Sequence, residues 1–172
     1  MNRRLFLAAA AAIVPSLALA QGHGSHGSAA ANPAVFRIGA LVIEAPWTRA
    51  TPGGARVAGG FMTIRNTGTL PDRLVGGTFP GAPRVEVHEM AMADGMMRMR
   101  ELRGGLEIPA GGSVQLRPGG YHMMFMELGE PVRAGAPLRG TLVFEKAGTI
   151  EIAYDVAPVG APGPAGHGVA RH

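Results

Sequence analysis

Two histidines and eight methionines crowd into one short part of this chain. Of its six histidines, only His88 and His122 lie outside the Gly-, Ala- and Pro-rich ends. Eight of the ten methionines fall between residues 90 and 126: Met90, Met92, Met96, Met97, Met99, Met123, Met124 and Met126. Imidazole and thioether form a soft, uncharged ligand set. Such a set suits a soft monovalent ion, Cu(I) above all. It competes poorly for Zn²⁺ or hard cations, which take thiolate, imidazole or carboxylate. No thiolate has to form, so binding would weaken mainly as pH falls through the histidine range.

Each half of the pattern has a plainer explanation. Methionine is a common filler of irregular cores, and Met62, Met92 and Met123 are read here as packing. A single strand histidine is ordinarily a surface residue. The combination says more, because each histidine has a methionine two positions along, as in His88-x-Met90 and His122-x-Met124.

These residues must be placed by strands. In a strand alternate side chains share a face. His122, Met124 and Met126 then point one way, and Tyr121, Met123 and Phe125 form the large apolar core face. Likewise Val85 and Val87 turn inward while His88 shares the outer face with Glu86 and Met90. Met97 and Met99 add thioethers from the next strand. The expectation is an exposed His/Met face lying over a separately filled core.

The rest of the chain supports an all-β reading. With 27 glycines and 14 prolines, long helices are disfavoured. Nine segments read as strands, namely 35–44, 57–65, 73–78, 84–90, 96–102, 113–116, 121–128, 138–146 and 149–156. Gly and Pro clusters separate them, and Ala147-Gly148 marks a hairpin between the last two. Short strands at this spacing indicate a single-domain antiparallel β-sandwich or barrel of the immunoglobulin or cupredoxin type.

The ends read differently. Met1-Asn2-Arg3-Arg4 followed by the apolar run Leu5–Ala20, closing on Ala18-Leu19-Ala20, has the form of a cleaved export signal over residues 1–20. Arg3-Arg4-Leu5-Phe6-Leu7 also resembles a twin-arginine signal. Residues 21–34 form a Gly/Ser/Ala arm with His23 and His26, and residues 158–172 form a Gly/Pro tail with His167 and His172. Neither end has the apolar content to pack. The domain is therefore placed at residues 35–157, in a periplasmic, secreted protein.

Composition removes several functions. There is no cysteine, which excludes thiol redox exchange, iron–sulfur clusters and a blue-copper centre with its thiolate. Fifteen of the sixteen basic residues are arginines scattered along the chain, so the formal charge of +4 is not a nucleic-acid stripe. Copper oxidases and dismutases gather three or more imidazoles, and the core offers two. No catalytic residue or enzyme activity is assigned.

Longer matches lie around the two histidines. His88, ten residues, Met99, then His122-x-Met124 is similar to the ligand pattern of the periplasmic copper chaperones called PCuAC. Ala45-Pro46-Trp47-Thr48-Arg49-Ala50, Arg65-Asn66-Thr67-Gly68, Val87-His88-Glu89-Met90, Ile108-Pro109-Ala110-Gly111-Gly112 and Pro118-Gly119-Gly120-Tyr121-His122 resemble that family too. The likeness covers about residues 35–157. It implies a cupredoxin-like β-barrel with an exposed Cu(I) site made by His88, Met99, His122 and Met124. It also implies delivery of copper to the CuA or CuB centre of cytochrome c oxidase, beside Sco-type thiol proteins. Storage or detoxification of copper is the alternative role, followed by a copper-dependent redox enzyme. The 22 residues between Met99 and His122 are one more than the usual pattern, which leaves Met97 or Met90 as substitutes for Met99. Some members carry His/Met-rich tails that take up Cu(II). A weak Cu(II) site at His23, His26, His167 and His172 stands beside a purely solubilising role for those ends.

Overall fold

The computed structural model describes residues 34–164. The expected export signal, the arm histidines His23 and His26, and the tail histidines His167 and His172 lie outside the described residues. The described part is all-β. It comprises β1 (Val35–Ile38), β2 (Leu41–Arg49), β3 (Val57–Asn66), β4 (Asp72–Thr78), β5 (Arg84–Ala93) and β6 (Met96–Glu101). These are followed by β7 (Leu106–Ile108), β8 (Ser113–Leu116), β9 (His122–Met126), β10 (Gly135–Phe144) and β11 (Gly148–Ala157). Among the described residues no helix is long and apolar enough to cross a membrane.

The strands form one sheet in the order β6-β5-β9-β3-β2-β11-β10-β4-β7, with β1 added to β2 and β8 to β3. Two long strands change partner along their length. β3 pairs with β9 through Val57–Gly60 and with β8 through Met62–Arg65. β2 runs beside β1 over Leu41–Glu44 and beside β11 over Trp47–Arg49. Between those halves the β2–β3 register slips, and Ala45 takes a positive φ of 49°. A bulge of this kind bends a strand and re-aims its side chains.

One core results, built from Leu41, Ile43, Ile64, Leu74, Phe125, Leu142, Ile152 and Tyr154 among others. Phe79 and Phe125 stack at 3.8 Å between centroids, and the edge of Tyr154 meets both rings. A smaller cluster of Trp47, Phe61 and Ala157 lies apart from it, with Ala161 packed on it. The residues after β11 are held there, since Arg49 Nε donates to the Ala161 carbonyl at 2.6 Å.

Three expectations are corrected. The described residues form eleven strands instead of nine. The first expected segment breaks at Gly39, whose φ is +54°, and resumes as β2 through Pro46 and Trp47 to Arg49. Proline is tolerated there because a bulge asks for no ladder hydrogen bond at that residue. The sheet is mixed, since β2 and β11 run parallel. Alternation of side chains could not have shown this, because it reports faces and says nothing of strand direction.

Candidate metal centre

The register of β5 against β9 brings the two histidines together. His88 lies opposite His122, Val87 opposite Met123 and Glu86 opposite Met124. Across β5 and β6, Met90 lies opposite Met99 and His88 opposite Glu101. Directly opposed residues share a sheet face. His88, Met90, Met99, His122, Met124, Glu86 and Glu101 therefore occupy one face, with Val87, Met123 and Phe125 filling the core behind it. The two imidazole centroids are 5.8 Å apart and tilted by 44°. A single ion bonded to one nitrogen of each ring, at about 2 Å, can bridge that separation.

Each ring is fixed by one hydrogen bond. His122 Nδ1 lies 3.0 Å from the Gly120 carbonyl oxygen. A carbonyl only accepts, so Nδ1 carries the proton and the Nε2 lone pair is free. The same carbonyl accepts from the Met90 amide at 3.2 Å, tying β5 to the turn that precedes β9. On His88, Nε2 is 2.7 Å from Glu86 Oε2, and the other oxygen of Glu86 meets Arg84 Nε at 3.0 Å. The carboxylate selects the Nε2–H tautomer, so Nδ1 carries the lone pair. His88 Nδ1 is buried and has no hydrogen-bond partner. Buried polar atoms are nearly always paired, and a carboxylate on the far nitrogen is the arrangement that orients metal-ligating imidazoles.

Among the described residues no three His, Cys, Asp or Glu side chains gather into a group that could hold a metal. The further donors that the described residues place on the same face as His88 and His122 include the thioethers of Met90, Met99 and Met124. Met124 and Met90 are half-buried beside the rings, and Met99 is 50% exposed at the rim. Burial is the largest influence on His122 and pulls its pKa below the ordinary 6.5; the positive form of His88 acts the same way, while the Gly120 carbonyl opposes both.

Both imidazoles are only 8% exposed, whereas an open outer face was expected. A second wall, beyond the reach of strand alternation, stands on the His122 side. Arg49, Phe61, Pro118 and Gly119 line a cavity with Met90 and His122. Phe61 leans over Gly59, where an added Cβ would sit 2.9 Å from its Cζ. The Arg49 guanidinium lies 5.6 Å from the centroids of both Trp47 and Phe61. Two further readings change. Tyr121 is exposed instead of in the core: β9 begins at His122, and Tyr121 makes only an isolated bridge to Leu116. Met92, read as packing, is 64% exposed, whereas Met62 and Met123 are buried.

Residues 41–156 match the model of the LpqE-like family. A Leifsonia xyli subsp. xyli protein named "Putative lipoprotein Lxx21020" is 34% identical over 114 residues, which is 66% of this chain and 68% of that one. Among solved structures, the copper-bound PCuAC domain from PmoF2 superposes with a TM-score of 0.62 at 30% identity, over 73% of this chain and 98% of that domain. The apo PCuAC domain from PmoF1 gives 0.62 at 27% identity, over 73% and 99%. The CuI-DR1885 solution structure from Deinococcus radiodurans gives 0.56 at 26%, over 80% and 84%. The chain belongs to the LpqE-like family, and its cupredoxin-like β fold is that of the PCuAC domains.

Proposed function

We propose that this protein is an extracytoplasmic copper chaperone that binds Cu(I) through His88 Nδ1, His122 Nε2, Met124 and Met99. The unpartnered, buried Nδ1 of His88 carries the reading. Glu86 and the Gly120 carbonyl leave one lone pair free on each ring, and neutral nitrogen and sulfur donors match a soft monovalent ion. The buried imidazoles hold the ion, and the exposed Met99 is the ligand an incoming donor displaces first. A thiol pair on an acceptor outcompetes neutral thioethers, so release runs downhill to a Sco-type protein or to the CuA centre of an assembling oxidase. Residues 1–20 act as the export signal and place the protein in the periplasm. Copper-bound relatives of the same fold support this reading.

X-ray absorption of the protein loaded with one equivalent of Cu(I) tests it. Mixed nitrogen and sulfur scatterers are expected, with the sulfur contribution reduced in Met124→Leu. A shell of nitrogen and oxygen alone would overturn the thioether assignment. Copper that stays on the protein in the presence of an apo CuA domain and of thiol acceptors would favour storage over delivery.

A further inference from the structure

The β5–β6 hairpin carries more thioethers on the histidine face than that centre uses. Met92 lies directly opposite Met97, one step further from His88 than the Met90–Met99 pair. Alternate positions share a face, so the two pairs form a ladder running outward from His88 at intervals of about 7 Å. Exposure climbs along it, from 8% at His88 to 50% at Met99, 51% at Met97 and 64% at Met92. None of these methionines contributes to either hydrophobic cluster. Packing therefore does not account for them. The opposite face of the hairpin carries a single methionine, Met96 opposite Ala93, beside Ala91 facing Arg98 and Glu89 paired to Arg100.

The turn fixes this arrangement. Asp94 and Gly95 have φ of 52° and 77°, the two positive values of the tight hairpin turn whose twist matches its strands. A slip of one residue would move Met92 and Met97 to opposite faces, and the turn prevents it. Opposed side chains have Cβ atoms about 5 Å apart, within the span over which two flexible thioethers can close on one ion.

We infer that the free end of this hairpin is a second Cu(I) site, formed by Met92 and Met97 with Met90 the nearest further thioether, and containing no imidazole. Its ligand class is a soft monovalent ion, Cu(I) or Ag(I). The inference does not depend on the His88–His122 centre, although it places a capture point on the same face.

Ag(I), which is inert to oxidation, and then Cu(I) would be titrated into full-length mature protein carrying ¹³C-methyl methionine and followed by NMR. Two equivalents are expected, the first moving the Met124 methyl and the second moving Met92 and Met97. M92L/M97L, which keeps shape and apolarity, should lose the second equivalent and keep the first. H88A/H122A should lose the first and keep the hairpin equivalent. Unmoved Met92 and Met97 methyls at saturation, or a second equivalent that survives in M92L/M97L, would overturn the hairpin site. Failure of the histidine centre reads out separately, as a first equivalent that persists in H88A/H122A.

Discussion

At the scale of single residues, the centre depends on which nitrogen of each histidine is left bare. Glu86 decides this for His88, and it is itself held by Arg84. Glu86→Gln keeps the size but offers an amide that either accepts or donates, so the tautomer is no longer enforced. Outer-shell partners of ligating histidines typically contribute 10–100-fold in metal affinity. Glu86→Gln should therefore weaken Cu(I) binding by about tenfold or more, measured by competition with a chromogenic chelator, while circular dichroism stays native. An affinity equal to wild type would mean that Glu86 does not orient His88.

At the scale of elements, β3 and β9 set the level of the site. Phe125 turns inward from β9 and stacks on Phe79, and β3 passes behind it at Gly60. A Cβ added to Gly60 would sit 2.5 Å from Phe125 Cζ and 3.2 Å from Met123 Cβ. Neither neighbour can retreat, since both are fully buried. Overpacking of this kind typically costs about 1–3 kcal/mol. Gly60→Ala should lower the unfolding free energy measured in urea by that amount, with an unchanged slope, and a neutral result would show that the sheet yields at this point. Gly59, one residue earlier, faces the site instead and accommodates Phe61. Two adjacent glycines thus serve opposite faces of one strand.

Over the whole molecule, stability should follow pH in two separate windows. Burial first, and then the charge of His88, lower the pKa of His122 below 6.5 in the folded state. The unfolded chain takes up that proton at higher pH than the folded one. Stability therefore declines as pH falls below about 6.5, until the folded-state His122 is protonated too. Asp72 acts lower down. Its burial favours the neutral acid, but the amides of Lys146, Arg73 and Ala147 and the Lys146 charge outweigh that and hold its pKa below 3.8. The stability it lends the β10–β11 turn is present above 3.8 and lost below it. Thermal unfolding of the apo protein from pH 8 to pH 3 should show both declines, and His122→Gln should remove only the upper one. A profile flat between pH 7 and pH 5 would contradict the assignment at His122.

The sequence by itself determined which donor types are on offer, the all-β class and the pairing of each histidine with a methionine two residues on. Residue type sets donor softness, and a period of two sets which side chains share a face. Met123, Phe125 and Val87 turned inward for that reason. Only the tertiary structure decided that His88 and His122 face each other, because register between strands 34 residues apart is a long-range property. It also decided the burial of the imidazoles. Phe61, Arg49 and the Pro118–Gly119 turn, from other segments of the chain, line the cavity on the His122 side. Tyr121 fell outside the core because β9 begins one residue later than alternation assumes, leaving Tyr121 in an isolated bridge to Leu116. The parallel contact of β2 with β11 was hidden as well, since strand direction leaves no mark on which side chains alternate.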